Sequence, residues 1–303
     1  MSGGERPTIS AIMVSWHTGP ALFEAIDAAL KAGDIDELVI LDNGNPKDVR
    51  QRLEALDEAQ ENVRLLAGQG NVGFARACNL GARAASGDVV LFLNPDALIE
   101  PGAAMLMAEA GAARGRHPWL VGARLLNTDG TEQRGARRGM LTPLSAFIGY
   151  SGLYRLEPLH PEFRNIHRER EPLPDGPCPT PVVSGAAMAI PRKDFLSLGG
   201  FDESYFLHVE DIDLCRRVAE AGGVVVFHPE ARVMHYGSTS RAPLMTVEWA
   251  KSQGFVHYFW KFARTPMGKV KAVAAAPFIV LALMGRATAY SARNIVRSLA
   301  GLD

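Results

Sequence analysis

The chain contains little cysteine and no cysteine pair at metal-binding spacing. Its 303 residues include three cysteines, Cys78, Cys178 and Cys215, which are odd in number and widely separated. Such a set predicts neither a disulfide framework nor a structural zinc site, and it favours a reducing compartment. We therefore expect a cytoplasmic protein.

Targeting signals and long apolar runs are also missing. Residues 1–7 contain no apolar segment of the signal-peptide type, so no signal peptide is predicted. No apolar run reaches the roughly 20 residues that a membrane-spanning helix requires. The nearest approach, residues 272–284, is interrupted by Pro277 and flanked by basic residues, which predicts an interfacial or buried helix.

Charge is nearly balanced overall but unevenly distributed. The formal net charge is -1, yet residues 251–303 contain eight Lys or Arg residues and one acidic residue. Four aromatic residues recur on one helical face of the same region: Phe255, Tyr258, Phe259 and Phe262. We predict that residues 244–303 form an amphipathic helical extension at the cytoplasmic face of the inner membrane. The alternative is a helix packed on the rest of the chain or on a second copy in a homodimer. No nucleic-acid partner is expected.

Apolar segments with strand and helix spacing alternate along the first hundred residues. With 47% hydrophobic residues, the chain can bury a substantial core. The predicted strands are residues 9–14, 37–41, 63–67 and 88–93, and the predicted helices are residues 21–32, 49–59 and 73–85. This alternation predicts an α/β fold with a Rossmann-like, mostly parallel central sheet flanked by helices.

Regular patterning weakens after residue 121. Residues 156–181 are rich in proline and charge, which predicts long loops. We predict that residues 182–190 form one buried strand and that residues 223–227 and 231–235 form two further short strands.

Polar residues follow the predicted strands at their carboxyl ends, where α/β sheets bind ligands. Asn94-Pro95-Asp96 directly follows the apolar strand at residues 88–93. A carboxylate at this position suits a hard divalent cation such as Mg²⁺ or Mn²⁺, which also binds diphosphate oxygens. A simple Asn-Pro-Asp turn is the alternative.

A dense group of acidic residues occupies the apolar, aromatic segment 201–217. Charges in such a setting are expensive to desolvate unless they take part in chemistry or meet cations. The apolar spacing that follows Asp211 predicts a helix that begins near Glu210. Helix capping is the alternative role for any single carboxylate here.

Two further segments carry groups that bind anions or metals. His235 follows a predicted strand and could bind a metal or a phosphate, with a structural role as the alternative. Gly70 and Gly73 precede a predicted helix, and helix starts favour anions. Their spacing matches neither the P-loop nor the dinucleotide-binding pattern, which argues against those two functions.

Taken in this order, the motifs resemble those of family-two inverting glycosyltransferases of the GT-A fold, and of bacterial rhamnosyltransferases in particular. They are Ser15-Trp16-His17, Asp42-Asn43-Gly44, Gly70-Asn71-Val72-Gly73-Phe74-Ala75 with Asn79, Asn94-Pro95-Asp96, Ser184-Gly185-Ala186, Phe201-Asp202-Glu203, Glu210 to Arg217, and His235. The resemblance spans about residues 8–242. One departure is that Asn94 replaces the first carboxylate of the usual Asp-x-Asp motif.

The resemblance implies a set of site residues. The donor-binding residues would be Ser15, His17, Asp42, Asn43, Asn71, Gly73, Asn79, Asn94, Asp96 and Arg241. Glu210 and Asp211 would be catalytic, with Asp211 as the general base. The acceptor would contact Ser184, Gly185 and His208, and the divalent cation would be bound by Asp96 and His235.

The resemblance also implies a reaction and a domain plan. The donor would be a nucleotide sugar, with dTDP-L-rhamnose expected, and the acceptor a saccharide or polyprenyl-diphosphate-linked saccharide of cell-surface polysaccharide synthesis. Residues 1–243 would form the GT-A domain, with a nucleotide-sugar-binding half at 8–127 and an acceptor-binding half at 128–243.

Alternatives to this function stay open. One is a transferase of the same fold that uses a UDP or GDP sugar, and another is a non-catalytic domain that binds nucleotide sugars or glycans. A nucleotidyltransferase is disfavoured, because residues 15–20 after the first strand contain no Lys or Arg.

Overall fold

The computed structural model describes residues 6–237, 239 and 243–299. The strands are β1 (Ile9–Ser15), β2 (Glu37–Asp42), β3 (Val63–Leu66), β4 (Val89–Leu93), β5 (Ala97–Ile99), β6 (Trp119–Leu126), β7 (Arg137–Arg138), β8 (Cys178–Pro179), β9 (Val182–Val183), β10 (Ala187–Pro191) and β11 (Val224–His235). The α-helices are α1 (Ala21–Lys31), α2 (Lys47–Ala59), α3 (Phe74–Ala84), α4 (Ala103–Ala112), α5 (Pro143–Ser151), α6 (Arg192–Ser197), α7 (Glu210–Glu220), α8 (Leu244–Lys261) and α9 (Pro266–Leu299).

The described residues form two compact units. The first contains residues 6–139, 167–203 and 210–239, and the second contains residues 140–166, 204–209 and 243–299. The second unit thus combines the predicted helical extension with two segments from within the predicted GT-A domain. The predicted halves at 8–127 and 128–243 stay predictions.

A mixed sheet of nine strands forms the centre of the first unit. Its main path runs β3-β2-β1-β4-β10-β6-β11-β5, and β8 pairs with β11. Strands β1 to β4 pair in parallel, whereas β10 runs antiparallel to both of its neighbours. Every residue of β1 and β4 is buried, which is the pattern of strands covered by helices on both faces.

Small residues let helix α3 pack closely against this sheet. Its buried positions include Ala75, Ala77, Gly81 and Ala82. A Cβ atom added at Gly81 would lie 2.6 Å from Ile12 Cγ2, so the backbone approaches the sheet as only glycine allows.

Three predicted features of the sheet are wrong in detail. Residues 182–190 are not one strand: β9 and β10 are separated by a turn at residues 184–186. Residues 223–227 and 231–235 belong to the single strand β11, whose pairing shifts register between His228 and Arg232. The region after residue 121 continues the buried strand β6, which the irregular local pattern concealed.

The second unit buries the aromatic face of helix α8. Phe255, Tyr258 and Phe259 are each at most 5% exposed, and the Tyr258 hydroxyl lies 3.4 Å from Met140 Sδ. These residues were predicted to contact a membrane, but they form the core of the unit. Glu248 on the same helix forms an ion pair with Arg286 of α9.

Helix α9 corrects the prediction that no segment is long enough to span a membrane. Residues Pro266–Thr288 form 23 helical residues, within which an 18-residue window has a mean hydropathy of 1.7 and is 17% buried. Pro277 lies inside the helix without ending it. By length and composition alone, this helix could cross a membrane, which the apolar run at residues 272–284 did not indicate.

Two side chains bind the backbone of the loop at Gly200 and Phe201, where the acidic segment begins. The Asn79 side chain accepts a hydrogen bond from the Phe201 amide at 2.8 Å and donates one to the Phe201 carbonyl at 2.9 Å. Arg217 pairs with the fully buried Asp213 and donates to the carbonyl of Gly200 at 2.7 Å. Asn79 therefore anchors this loop, a role different from its predicted donor contact.

We predict that Gly200→Ala destabilises the protein more than Gly199→Ala. Both glycines have positive φ angles, +73° and +82°, at which alanine costs about 1–2 kcal/mol. A Cβ atom at Gly200 would also lie 2.4 Å from Asn79 Oδ1, whereas open space surrounds Gly199. Overpacking should cost Gly200→Ala about 1–3 kcal/mol more, measured by urea unfolding. Equal losses in the two variants would show that the Asn79 contact does not constrain the loop.

Candidate functional site

Asp96 lies in a polar cluster at the carboxyl end of β4. Its Oδ1 atom is 3.1 Å from His235 Nε2, and its Oδ2 atom accepts a hydrogen bond from the Thr239 hydroxyl at 2.9 Å. Asn94 Nδ2 lies 3.2 Å from the same His235 nitrogen. The structure thus brings together Asn94, Asp96 and His235, which the sequence predicted to share one site.

The surroundings of Asp96 favour its ionised form. Burial acts to raise the pKa of this carboxyl, and the residue is 4% exposed. The hydrogen bond and positive charge of His235, together with the Thr239 hydroxyl, outweigh burial and hold the pKa below its ordinary value. Asp96 is therefore a carboxylate at neutral pH.

The turn at residues 184–186 connects this cluster to the start of α7. The Asn94 amide donates to the Ala186 carbonyl at 2.8 Å. The Gly185 amide donates to Asp211 Oδ2 at 3.0 Å, and a Cβ atom at Gly185 would lie 3.3 Å from Asp211 Cβ. The backbone of the predicted acceptor-side motif thus contacts the predicted general base.

Three donors surround the side chain of Asp211. Its Oδ2 atom accepts from Gly185 and forms an ion pair with Arg138, and its Oδ1 atom accepts from the Ile212 amide at 2.7 Å. Arg138 also donates to the Val183 carbonyl at 3.1 Å. Arg138 therefore links Asp211 to the backbone next to the turn at residues 184–186.

Glu210 lies beside Asp211 but in a different electrostatic environment. Burial and the neighbouring Asp211 carboxylate raise the pKa of Glu210 to about 8. Its Oε2 atom is buried and has no hydrogen-bond partner among the described residues. At neutral pH Glu210 is therefore protonated, and two neighbouring acidic groups in different environments can take different roles.

Asp42 and Ser15 form a second polar cluster at the ends of β1 and β2. Asp42 Oδ1 accepts hydrogen bonds from the amides of Gly44 and Asn45 at 3.0 and 2.8 Å. The Asn45 side chain in turn bonds the Ser15 hydroxyl and accepts from the His17 amide at 2.8 Å. One oxygen of Asp42 thus shapes the turn, and its Oδ2 atom is 4.0 Å from Arg50 Nε.

Asn43 and Gly73 join this cluster to the start of α3. The Asn43 side chain donates to the Gly73 carbonyl at 3.2 Å, and the Gly73 amide donates to Asn71 Oδ1 at 3.1 Å. Gly73 has a φ of +83° at the N-terminus of the helix, which explains why glycine occupies this position. Asn43 Oδ1 is buried and has no hydrogen-bond partner in the described part of the chain.

The remaining predicted residues have separate outcomes. Ser184 accepts from the Ala186 amide at 3.3 Å and thereby shapes the turn beside Asp211. His208 belongs to the second unit and has a φ of +66°. Arg241 lies outside the described residues.

Sequence reasoning did not single out Arg138, Gln133 or Thr239. Arg138 lies in a stretch, residues 134–138, whose basic residues are evident in the sequence. No sequence pattern indicated that it pairs with a carboxylate. Gln133 accepts from His235 Nδ1 at 2.6 Å across more than a hundred residues of chain. Such long-range partners leave no local signal.

The described residues provide few side chains that could bind a metal ion together. Across residues 6–237, 239 and 243–299, no group of three or more His, Cys, Asp or Glu side chains could hold a metal ion. Any cation at Asp96 and His235 would therefore draw its other ligands from water or from a bound molecule.

Comparisons with known proteins bear on the family of the chain. The model of the family described as glycosyl transferase family 2 matches residues 10–195. An N-acetylglucosaminyl-diphospho-decaprenol L-rhamnosyltransferase of Mycobacterium tuberculosis is 29% identical over 259 residues, which cover 78% of each chain. An O-antigen biosynthesis protein of Myxococcus xanthus is 31% identical over 54% of this chain and 12% of its own length.

Solved structures support the fold. A mannosyltransferase of Pyrobaculum calidifontis, in complex with GDP-Man and Mn²⁺, superposes with a TM-score of 0.56 at 17% identity, covering 98% of this chain and 81% of its own. The predicted GT-A fold is confirmed by this likeness and by the mixed sheet with its flanking helices. Because the family model covers more than half of the sequence, the chain belongs to glycosyl transferase family 2 and is a glycosyltransferase.

Proposed function

We propose that the protein transfers L-rhamnose from dTDP-L-rhamnose, with inversion, to a polyprenyl-diphosphate-linked saccharide. The name of the Mycobacterium tuberculosis relative supports both the sugar and the lipid-diphosphate acceptor.

Incubation with dTDP-, UDP- and GDP-linked sugars and a polyprenyl-diphosphate-linked saccharide tests the proposal. Transfer from a UDP or GDP sugar alone would overturn the donor assignment, and binding without transfer would indicate a non-catalytic domain.

The observation that carries a transfer function is the fixed position of Asp211 beside the protonated Glu210. An in-line displacement at the anomeric carbon needs a base that removes the proton of the acceptor hydroxyl as it attacks. Arg138 and two backbone amides bond the Asp211 side chain and hold it in place for this role. Glu210 already holds a proton at neutral pH, so we assign the base to Asp211 and not to Glu210.

We predict that Asp211→Asn lowers turnover by about 10²–10⁴-fold, the usual contribution of a positioned base. Glu210→Gln should lower turnover by less than about tenfold, since glutamine resembles the protonated acid present at pH 7. Initial rates with saturating donor and acceptor measure both effects, and donor affinity should change little in either variant. The opposite order of the two losses would assign the base to Glu210.

Asp96 and His235 fit a divalent cation that also contacts the donor diphosphate. Their facing oxygen and nitrogen atoms are 3.1 Å apart. Neighbouring ligands of an octahedral cation with bonds of about 2.1 Å are separated by about 3 Å. The carboxylate suits Mn²⁺ or Mg²⁺, and the additional imidazole favours Mn²⁺ of the two. The Pyrobaculum calidifontis mannosyltransferase was solved with Mn²⁺. When bound, such an ion would neutralise charge on the departing diphosphate.

Neighbouring residues control the ionisation of Asp96 and the position of the end of β4. Thr239 and His235 keep Asp96 ionised, and Asn94 ties the end of β4 to the turn at residues 184–186. The negative charge of Asp96 is then available to a cation without a proton first having to leave.

We predict that transfer requires a divalent cation and that the requirement is reversible. Excess EDTA should abolish activity, and added Mn²⁺ should restore it. Asp96→Asn should raise the Mn²⁺ concentration needed for half-maximal rate at least about tenfold, because it removes the charged ligand. Full activity in EDTA would refute the cation while leaving the family assignment intact.

We also propose that helix α9 attaches the enzyme to the cytoplasmic face of the inner membrane. Val270, Val273, Phe278 and Leu281 are between 59% and 70% exposed, which is unusual for large apolar side chains on one helix. Trp260 and Lys269 lie nearby, with the ammonium 5.0 Å from the indole ring. An exposed apolar helix with basic neighbours fits an anionic lipid surface, where each cation contributes about 1 kcal/mol.

We predict that Phe278→Ser with Leu281→Ser weakens binding to anionic liposomes at least about tenfold. A tenfold change in affinity corresponds to about 1.4 kcal/mol. Each large apolar side chain contributes about 1.5–3 kcal/mol when fully buried, so the partial insertion of two such side chains is enough for this change. Leu159→Ser is the matched control, because Leu159 is 79% exposed but lies outside α9. Co-sedimentation at several salt concentrations measures the effect. Equal binding by all three proteins, or none, would leave α9 as a packing or dimerisation element.

A further inference from the structure

The side chain of Gln133 makes two hydrogen bonds to one residue. Its Nε2 atom donates to the backbone carbonyl of His235 at 2.9 Å, and its Oε1 atom lies 2.6 Å from His235 Nδ1. The Gln133 backbone is itself fixed, because its amide donates to the Leu125 carbonyl of β6 at 2.8 Å. Gln133 thus connects a rigid strand to both the main chain and the ring of His235.

These contacts show that Nδ1 of the His235 ring carries a hydrogen. A backbone carbonyl can only accept, so the Gln133 group facing it must be the NH₂. The Oε1 atom therefore faces His235 Nδ1, and since this oxygen can only accept, Nδ1 must be the donor. The amide orientation follows from the carbonyl and requires no assumption about the imidazole.

The other ring nitrogen then faces the acidic side of the site. With Nδ1 directed at Gln133, it is Nε2 that faces Asp96 Oδ1, at 3.1 Å, and Asn94 Nδ2, at 3.2 Å. Without a cation, a hydrogen on Nε2 can bond the Asp96 carboxylate. A bound cation would take the place of that hydrogen between the nitrogen and the carboxylate oxygen.

We propose that Gln133 is a positioning residue that keeps hydrogen on Nδ1 of His235, so that Nε2 is the ring nitrogen directed to a divalent cation together with Asp96. The cation itself rests on the proposed function, but the tautomer does not. Histidine ligands of metals generally donate their second ring hydrogen to a fixed acceptor, and loss of that acceptor typically weakens metal binding about 10–100-fold.

Nitrogen chemical shifts of the imidazole test the tautomer without any metal. Full-length protein labelled with ¹⁵N-histidine contains eight histidines, and the His235→Gln variant identifies the signals of His235. At about pH 8.5, wild type should show hydrogen on Nδ1 of His235. Gln133→Met, which matches the length of glutamine but accepts no such bond, should shift His235 towards the form with hydrogen on Nε2 alone. A wild-type His235 without hydrogen on Nδ1, or an unchanged distribution in Gln133→Met, would overturn the proposal.

Titration with Mn²⁺ alone tests the consequence for metal binding. Gln133→Met should weaken Mn²⁺ binding about 10–100-fold, whereas Gln133→Glu should stay within about threefold of wild type or bind more tightly, since its carboxylate also accepts from Nδ1. Gln69→Met serves as the control, because Gln69 donates to the Asp42 and Leu66 carbonyls and contacts no histidine ring. Its Mn²⁺ affinity should equal that of wild type.

The two measurements separate the two hypotheses. A merely structural Gln133 would weaken Mn²⁺ binding equally in Gln133→Met and Gln133→Glu, which would overturn the positioning role. If wild type binds no Mn²⁺ at all, the proposed cation is refuted, and the chemical shifts alone decide whether Gln133 sets the tautomer.

Discussion

The site depends on one short backbone turn, residues 184–186. Its Gly185 amide bonds Asp211, and its Ala186 carbonyl accepts from the Asn94 amide, so it joins the two carboxylate centres that the chain places more than a hundred residues apart. Backbone groups hold their direction better than long side chains, and a fixed distance between a base and a leaving-group site is what transfer chemistry requires. Because Gly185 has no side chain, the backbone of the turn can come this close to Asp211; an added Cβ atom would lie 3.3 Å from Asp211 Cβ.

Around this turn, nearly every buried charge has an opposite partner. Arg138 pairs with Asp211, Arg217 pairs with Asp213, and the 6% exposed Arg137 pairs with Glu132 at 2.8 Å. Removing one member of such a buried pair typically costs about 3–5 kcal/mol, because the remaining charge stays desolvated. The Oε2 atom of Glu210 has no hydrogen-bond partner among the described residues, and burial together with the neighbouring Asp211 raises its pKa to about 8, so that Glu210 retains its proton. The acidic segment that stands out in the sequence thus divides into structural and chemical carboxylates.

Much of this organisation could be predicted from the sequence, where the signal is local. The apolar strand before Asn94-Pro95-Asp96, the helix that begins at Glu210 and the alternating elements of the first hundred residues all follow from spacing and composition. The place of β10 between β4 and β6, antiparallel to both, could not be predicted, since these neighbours are distant in sequence. The donor contact of Asn79 came from the family resemblance and stays a prediction, whereas its bonds to the backbone of Phe201 could not be predicted, because a polar side chain that anchors a loop has no local signal. Likewise, the aromatic face of α8 gave the correct helix but the wrong environment, because periodicity reveals a face and not what covers it.

The insertion of β10 beside β4 has a consequence for how the chain folds as it is made. β4 is complete early in synthesis, but its second neighbour arrives only when residues 187–191 have left the ribosome. During that interval β4 has a fully apolar strand edge with unpaired amides and carbonyls, which is a template for pairing with another chain. Strands that must wait for distant partners fold slowly and are exposed to aggregation in the meantime. Production of this enzyme in a cell is therefore expected to depend on translation speed and chaperone protection over its middle third, apart from any property of its active site.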